Sequence, residues 1–151
     1  MKMQIMRGLH QEYVTGVVAA ISLLVCGCSS ERAPVNPKPI VPVSGVITIN
    51  GEAKKGVFVS FHPKVVAPGN FTASNGKTDD KGNFKAWTYR MNDGVPPGDY
   101  VVTFYYPDPK IIAKNRPDLL QNRYVDPHNS THMVTVPTEG ELVMDPIDLQ
   151  M

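Results

Sequence analysis

The segment Asn92-Asp-Gly-Val-Pro-Pro-Gly-Asp-Tyr-Val-Val-Thr-Phe-Tyr-Tyr106 decides the fold. Its second half, Tyr100 to Tyr106, is an unbroken run of β-branched and aromatic residues, the types that suit a pleated, half-buried surface. Its first half is a turn cluster in which Gly94 or Gly98 supplies a positive φ. A strand therefore begins near Tyr100. It carries Tyr100, Val102 and Phe104 on one face, and Val101 and Thr103 on the other.

Shorter runs of the same kind lie on both sides. Val43-Ser-Gly-Val-Ile-Thr-Ile-Asn50 is rich in β-branched residues and ends in Asn50-Gly51, a strong hairpin signal, so a strand is expected to resume after it. Val57, Val59 and Phe61 alternate with Phe58, Ser60 and His62 until Pro63 interrupts the ladder. Pro68-Gly69-Asn70 centres a loop. Gly76-Lys-Thr-Asp79 leads through Asp80-Lys-Gly-Asn83 into Phe84-Lys-Ala-Trp-Thr-Tyr89, which predicts two strands and a turn. Gly82 takes the positive φ of that turn, and Phe84 returns an aromatic ring to the core.

Between Pro107 and Asn129 the helix-compatible piece, Lys110 to Arg116, is held short by Pro107, Pro109, Pro117 and Pro127. Met133–Pro137 and Leu142–Leu149 predict the last two strands. The sum is an all-β chain: an antiparallel β-sandwich of about seven strands over residues 43–151. About 110 residues suffice for a core without disulfides.

The N-terminal third reads as an address. Lys2 and Arg7 precede the apolar stretch from Val14 to Val25, the layout of an export signal. The stretch stops short of the roughly 20 residues that a spanning helix needs. It ends in Cys26-Gly-Cys-Ser-Ser30, which contains both cysteines of the chain. One residue between two cysteines makes a strained ring, which disfavours a disulfide. The motif resembles the lipobox of bacterial lipoproteins, with Gly27 before the cut and Cys28 as acceptor of the lipid. Val25 and Cys26 depart from the usual pattern.

A signal peptide over residues 1–27 then precedes the lipidated Cys28 and a linker over 28–42. Prolines 34, 37, 39 and 42 favour extended polyproline II, at about 3.1 Å per residue, reaching roughly 40 Å from a membrane. Several acyl chains anchor durably where one does not.

Charge excludes one class. The chain has 15 Lys+Arg and 14 Asp+Glu, and removing Lys2, Arg7 and Glu12 with the signal leaves the two signs equal. No concentrated positive face is expected for a nucleic-acid partner.

The ordered motifs Val43–Glu52, Val57–Phe61, Gly76–Phe84 and Gly94–Thr103 resemble the carboxypeptidase regulatory-like, transthyretin-related sandwich. With the lipobox, and with Arg123-Tyr-Val-Asp-Pro-His-Asn-Ser130 ahead of two final strands, they resemble the small lipoproteins of this type in planctomycete bacteria. That resemblance implies a noncatalytic domain without cofactors. The hydrolase branch of the transthyretin relatives ends in Tyr-Arg-Gly-Ser, whereas this chain ends in Asp148-Leu-Gln-Met151.

Other polar clusters offer candidate chemistry. His128 and His132 have the spacing of zinc ligands on a helix, but Asn129 stands where a metalloprotease has Glu, and Pro127 precedes the pair. Asp79, Asp80 and Asn83 offer oxygens to calcium without the EF-hand pattern. Asp126, His128 and Ser130 or Thr131 make a triad on paper, without a nucleophile elbow. Asn70-Phe-Thr72 and Asn129-Ser-Thr131 match a glycosylation pattern that carries no weight in a bacterium.

The expected role is a lipid-anchored, periplasm-facing module on the cell membrane or outer membrane, structural or binding an envelope protein. The alternative is a small molecule or glycan bound on an aromatic sheet face that includes Trp87, Tyr89 and Tyr105.

Overall fold

Alternation in Val43–Ile49 (β1) is carried out in full: Val43, Gly45, Ile47 and Ile49 turn inward and the intervening residues are half-exposed. The computed structural model describes residues 38–65 and 73–151, all within one unit spanning 36–151. The remaining strands are Glu52–Ala53 (β2), Phe58–Pro63 (β3), Ser74–Lys77 (β4), Asn83–Lys85 (β5), Gly98–Tyr105 (β6), Met133–Val136 (β7), Leu142–Val143 (β8) and Ile147–Leu149 (β9). There is no helix among the described residues.

The strands form two sheets. In one, β1 is flanked by β2 and β5 as antiparallel neighbours, and β8 and β9 pair with it in parallel. In the other, β4-β3-β6-β7 is antiparallel throughout. Both contribute to one core, with Ile47 and Ile49 from the first and Val59, Phe61, Val102 and Phe104 from the second, each at most 1% exposed. Burying each such side chain contributes about 1.5–3 kcal/mol. This is an all-β, sandwich-like fold.

The turns follow from local chemistry. Asn50 and Gly51 have φ of 52° and 79°, the paired positive values of a tight hairpin, as Asn-Gly predicts. Asp148 ties this turn down, its Oδ1 accepting from the Gly51 N–H at 2.8 Å and the Thr48 hydroxyl at 2.7 Å. In the Thr78–Phe84 turn, Asp79 Oδ1 accepts from the N–H groups of Lys81 (2.8 Å) and Asn83 (2.9 Å). Thr78, 3% exposed, accepts from Val57 N–H and donates to the Lys54 carbonyl, joining the turn to the entrance of β3.

Tyr100 near the start of β6 donates to the Pro96 carbonyl four residues upstream at 2.8 Å. This back-bond is the tyrosine corner found at strand entries of sandwich folds.

The structure departs from the sequence reading at Pro63, which stays in β3 paired with Tyr100 while Lys64 N–H donates to the Asp99 carbonyl beyond it, and in four further places. The strand predicted over 84–89 ends at Lys85 because the chain changes sheets. Ala86 N–H still donates to Val43 of β1, whereas Trp87 exchanges two backbone bonds with Asn75 of β4. Beyond it, the Asp93 carboxylate takes the N–H groups of Thr88, Tyr89 and Arg90 and stops any ladder.

The strand predicted over 142–149 is two, both parallel to β1, so this sheet is mixed and the described strands number nine. Between Val143 and Ile147 the register against β1 slips by one residue, a bulge at Asp145-Pro146 where proline has no N–H to give. The slip keeps Leu142 and Met144, then Ile147 and Leu149, against the core.

The 110–116 piece is turn and bend. Asp118 replaces helix ends as the organiser there, accepting from Tyr106, Leu120 and Asn122 N–H groups and seating the fully buried Leu120. Finally, residues 38–42, assigned above to the linker, pack on the domain. Val41 is 3% exposed, pairs with Val95, and is followed by Pro42, whose carbonyl accepts from Leu142.

Candidate functional site

The residues singled out for chemistry are occupied by structure. Asp79 serves its own turn, and its hydrogen bonds, led by that from Lys81, hold its pKa below the usual carboxylate value. Asp80 pairs with Lys55 at 3.0 Å instead of converging with Asp79. Asp126 accepts from His128 N–H at 2.9 Å and from the Asn129 side chain at 2.7 Å, closing a loop turn. Ser130 donates to the Val102 carbonyl at 2.6 Å, which sutures that loop to β6.

His132 packs edge-on against Phe104 with ring centroids 5.1 Å apart, and its burial lowers its pKa from 6.5. His128 is exposed on a non-helical turn, so the two imidazoles do not share a helix face. Among the described residues, no three His, Cys, Asp or Glu side chains stand together as metal ligands.

The aromatic residues are separated. Trp87 pairs with Asn75, Asn75 with Ser60, and Ser60 with Thr103, which puts all four side chains on the outer face of the β4-β3-β6-β7 sheet. Tyr105 shares this face, opposite Phe58 with centroids 6.3 Å apart, but its strand lies three strand spacings from Trp87, about 14 Å. Tyr89 is turned elsewhere and accepts from Lys38 N–H at 3.0 Å. The three rings therefore form no common platform. The middle of the face is polar: His62 bonds Thr103 at 2.8 Å, and burial lowers the His62 pKa.

A different surface emerges from the sheet edges. Val102 N–H donates to the His132 carbonyl, which sets the phase of the β6–β7 ladder. His132, Val134 and Val136 thus turn their backbone groups toward β6, while Met133 and Thr135 turn theirs outward. Facing this edge across an open groove of about 320 Å³ is the β8–β9 run. Val134, Leu142, Met144 and Ile147 floor the groove. Met133 and Val143, 62% and 67% exposed, rim it. The sequence marks its two sides only as separate strand runs, Met133–Pro137 and Leu142–Leu149. Their meeting depends on the crossing between sheets.

Gly27, Cys28 and the rest of the lipobox lie outside the described residues, as do most of the linker and the Asn70-Phe-Thr72 match. Among the described residues, no helix is long and apolar enough to cross a membrane. No protein-family model matches this chain, and no curated protein matches it.

Proposed function

We propose that the chain is a lipid-anchored module of the bacterial cell envelope. Cys28 carries the lipid once the bond after Gly27 is cut, and the domain is a noncatalytic binding sandwich of the carboxypeptidase regulatory-like, transthyretin-related type. The family reading is supported by the order of the four motifs, and the sandwich reading by the tyrosine corner at Tyr100. The anchor reading is supported by the basic, apolar and cysteine segments of residues 1–28.

The observation that carries the binding role is the open side between β7 and β8–β9. An edge with outward backbone groups over an apolar floor is what an extended peptide needs to add itself as a strand. Backbone hydrogen bonds supply affinity there, and alternate side chains of the peptide enter the floor. The partner is accordingly an extended segment of another envelope protein.

Site-specific photocrosslinking in cells tests this, with the probe at Val143 of the full chain. A discrete adduct at Val143 that disappears in Thr135→Pro, which removes an outward N–H, is the expected result. An adduct unaffected by Thr135→Pro, or none at Val143, would refute the edge as the binding surface.

A further inference from the structure

At the Tyr105 end of the four-stranded sheet, three cations line one hollow and only one of them is met by an acid. Lys55, Gly56, Phe58, Lys77, Pro109 and Arg116 line a hollow of about 170 Å³, to which Pro107 also contributes. The Lys77 ammonium stands over the Phe58 ring at 5.0 Å from its centroid, a cation–π contact that fixes where the charge points. Tyr105 donates to the Arg116 carbonyl at 2.5 Å, so the outer face of β6 holds the loop that delivers the guanidinium. Lys55 is balanced by Asp80. Among the described residues, neither Lys77 nor Arg116 has an ion pair.

The charges of Lys77 and Arg116 around one apolar floor repel, and water screens them less in a concave site than on a flat surface. The arrangement is favourable once an anion enters. A planar guanidinium and an ammonium held by an aromatic ring suit an oxyanion, with Arg116 offering a fork of donors and Lys77 a point charge. The hollow shares Pro109 and Arg116 with a second one of about 420 Å³ that Ile111, Ile112 and Lys114 also line, room for the body attached to the anion.

We infer that this hollow binds an oxyanion, the carboxylate or phosphate of a small molecule or saccharide, between Lys77 and Arg116. The site is separate from the β7 edge and does not depend on the lipid anchor. Its charge comes from two segments far apart in the chain, near residues 77 and 116, which explains why no basic run announces it in the sequence.

Isothermal titration of the full chain in mild detergent tests the site with three probes: glucuronate, inorganic phosphate and glucose. Saturable binding of glucuronate or phosphate, weakened by salt and absent for glucose, is expected. Lys77→Gln and Arg116→Gln should each weaken it about tenfold or more, as loss of a charge-assisted bond does. Lys77→Arg should retain binding, and Lys85→Gln, an exposed cation on the other sheet, should leave it unchanged. Tighter binding of glucuronate than of phosphate identifies a saccharide acid as the source; equal binding identifies the bare oxyanion. No saturable binding of either anion, equal binding of glucose, or an equal loss in Lys85→Gln would overturn the assignment.

Discussion

The ring of Phe84 lies directly against Gly76: a Cβ built on that glycine would stand 2.8 Å from Phe84 Cδ2. Gly45 approaches the other side of the ring, where a Cβ would come within 2.8 Å of Cε1. Phe84 thus sits between a glycine of each sheet, with Phe61 at a centroid distance of 6.4 Å, just before the chain passes from one sheet to the other. The absent side chains are what let a phenyl ring occupy the crossing point.

Gly76→Ala and Gly45→Ala should each destabilise the domain by about 1–3 kcal/mol, the cost of overpacking a filled core. Urea unfolding measures this. In a Phe84→Leu background the penalty of Gly76→Ala should shrink, because the two residues are in contact and their effects do not add. An undiminished penalty would place the strain elsewhere.

A second pair of glycines separates backbone strain from crowding. Gly82 has φ of 76° and a Cβ there would stand 2.4 Å from the Ile47 carbonyl oxygen, whereas Gly51 has φ of 79° and open space around it. Gly51→Ala should cost about 1 kcal/mol, the price of a left-handed residue alone. Gly82→Ala should cost clearly more in the same denaturation experiment, since the β1 backbone must move.

Tyr100→Phe tests the corner. The ring stays in the core, its edge against Phe61, while the Pro96 carbonyl loses its donor. A loss of about 1–2 kcal/mol is expected. An unchanged unfolding midpoint would show that the corner bond contributes nothing.

Acid should destabilise the fold in two stages. Burial lowers the pKa of His62 and His132 from 6.5, so below that value the unfolded chain takes up protons that the folded chain resists. Their contribution is complete above pH 6.5 and declines as pH falls toward the folded values. Asp79 and Asp148 are lowered from 3.8, chiefly by hydrogen bonds from Lys81 and Gly51 N–H respectively. Their contribution is complete above the unfolded value and is lost as pH falls through the folded ones. Urea midpoints measured from neutral to acidic pH should therefore fall first below 6.5 and again below 3.8. His132→Gln should flatten the first decline and Asp79→Asn the second. A midpoint that rises on acidification would contradict both assignments.

Much of the sheet interior is legible in sequence because period-2 alternation is local: Val57, Val59 and Phe61, and again Tyr100, Val102 and Phe104, declare their inner face unaided. Turns are legible for the same reason, as at Asn50-Gly51 and Asp79–Asn83. Pairing partners are not local. The switch at Ala86-Trp87 rests on Asn75 and on the Asp93 carboxylate, and the parallel placement of β8 and β9 on a return from the opposite sheet. An aromatic face over Trp87, Tyr89 and Tyr105 is the sequence's alternative reading, because these rings lie close together in type and in strand-like segments. The sheet crossing and the Lys38 contact of Tyr89 spread them apart. The groove beside β7 and the hollow at Lys77 arise only once distant segments meet.

The tether is the claim on which the proposed role depends, and intact-mass and N-terminal peptide mass spectrometry of detergent-extracted protein tests it most directly, alongside Cys28→Ser. A diacyl or triacyl mass on Cys28 in the membrane fraction is expected, with the variant unmodified and released. An unmodified N-terminus in the soluble fraction would contradict it and make the sandwich a diffusible domain.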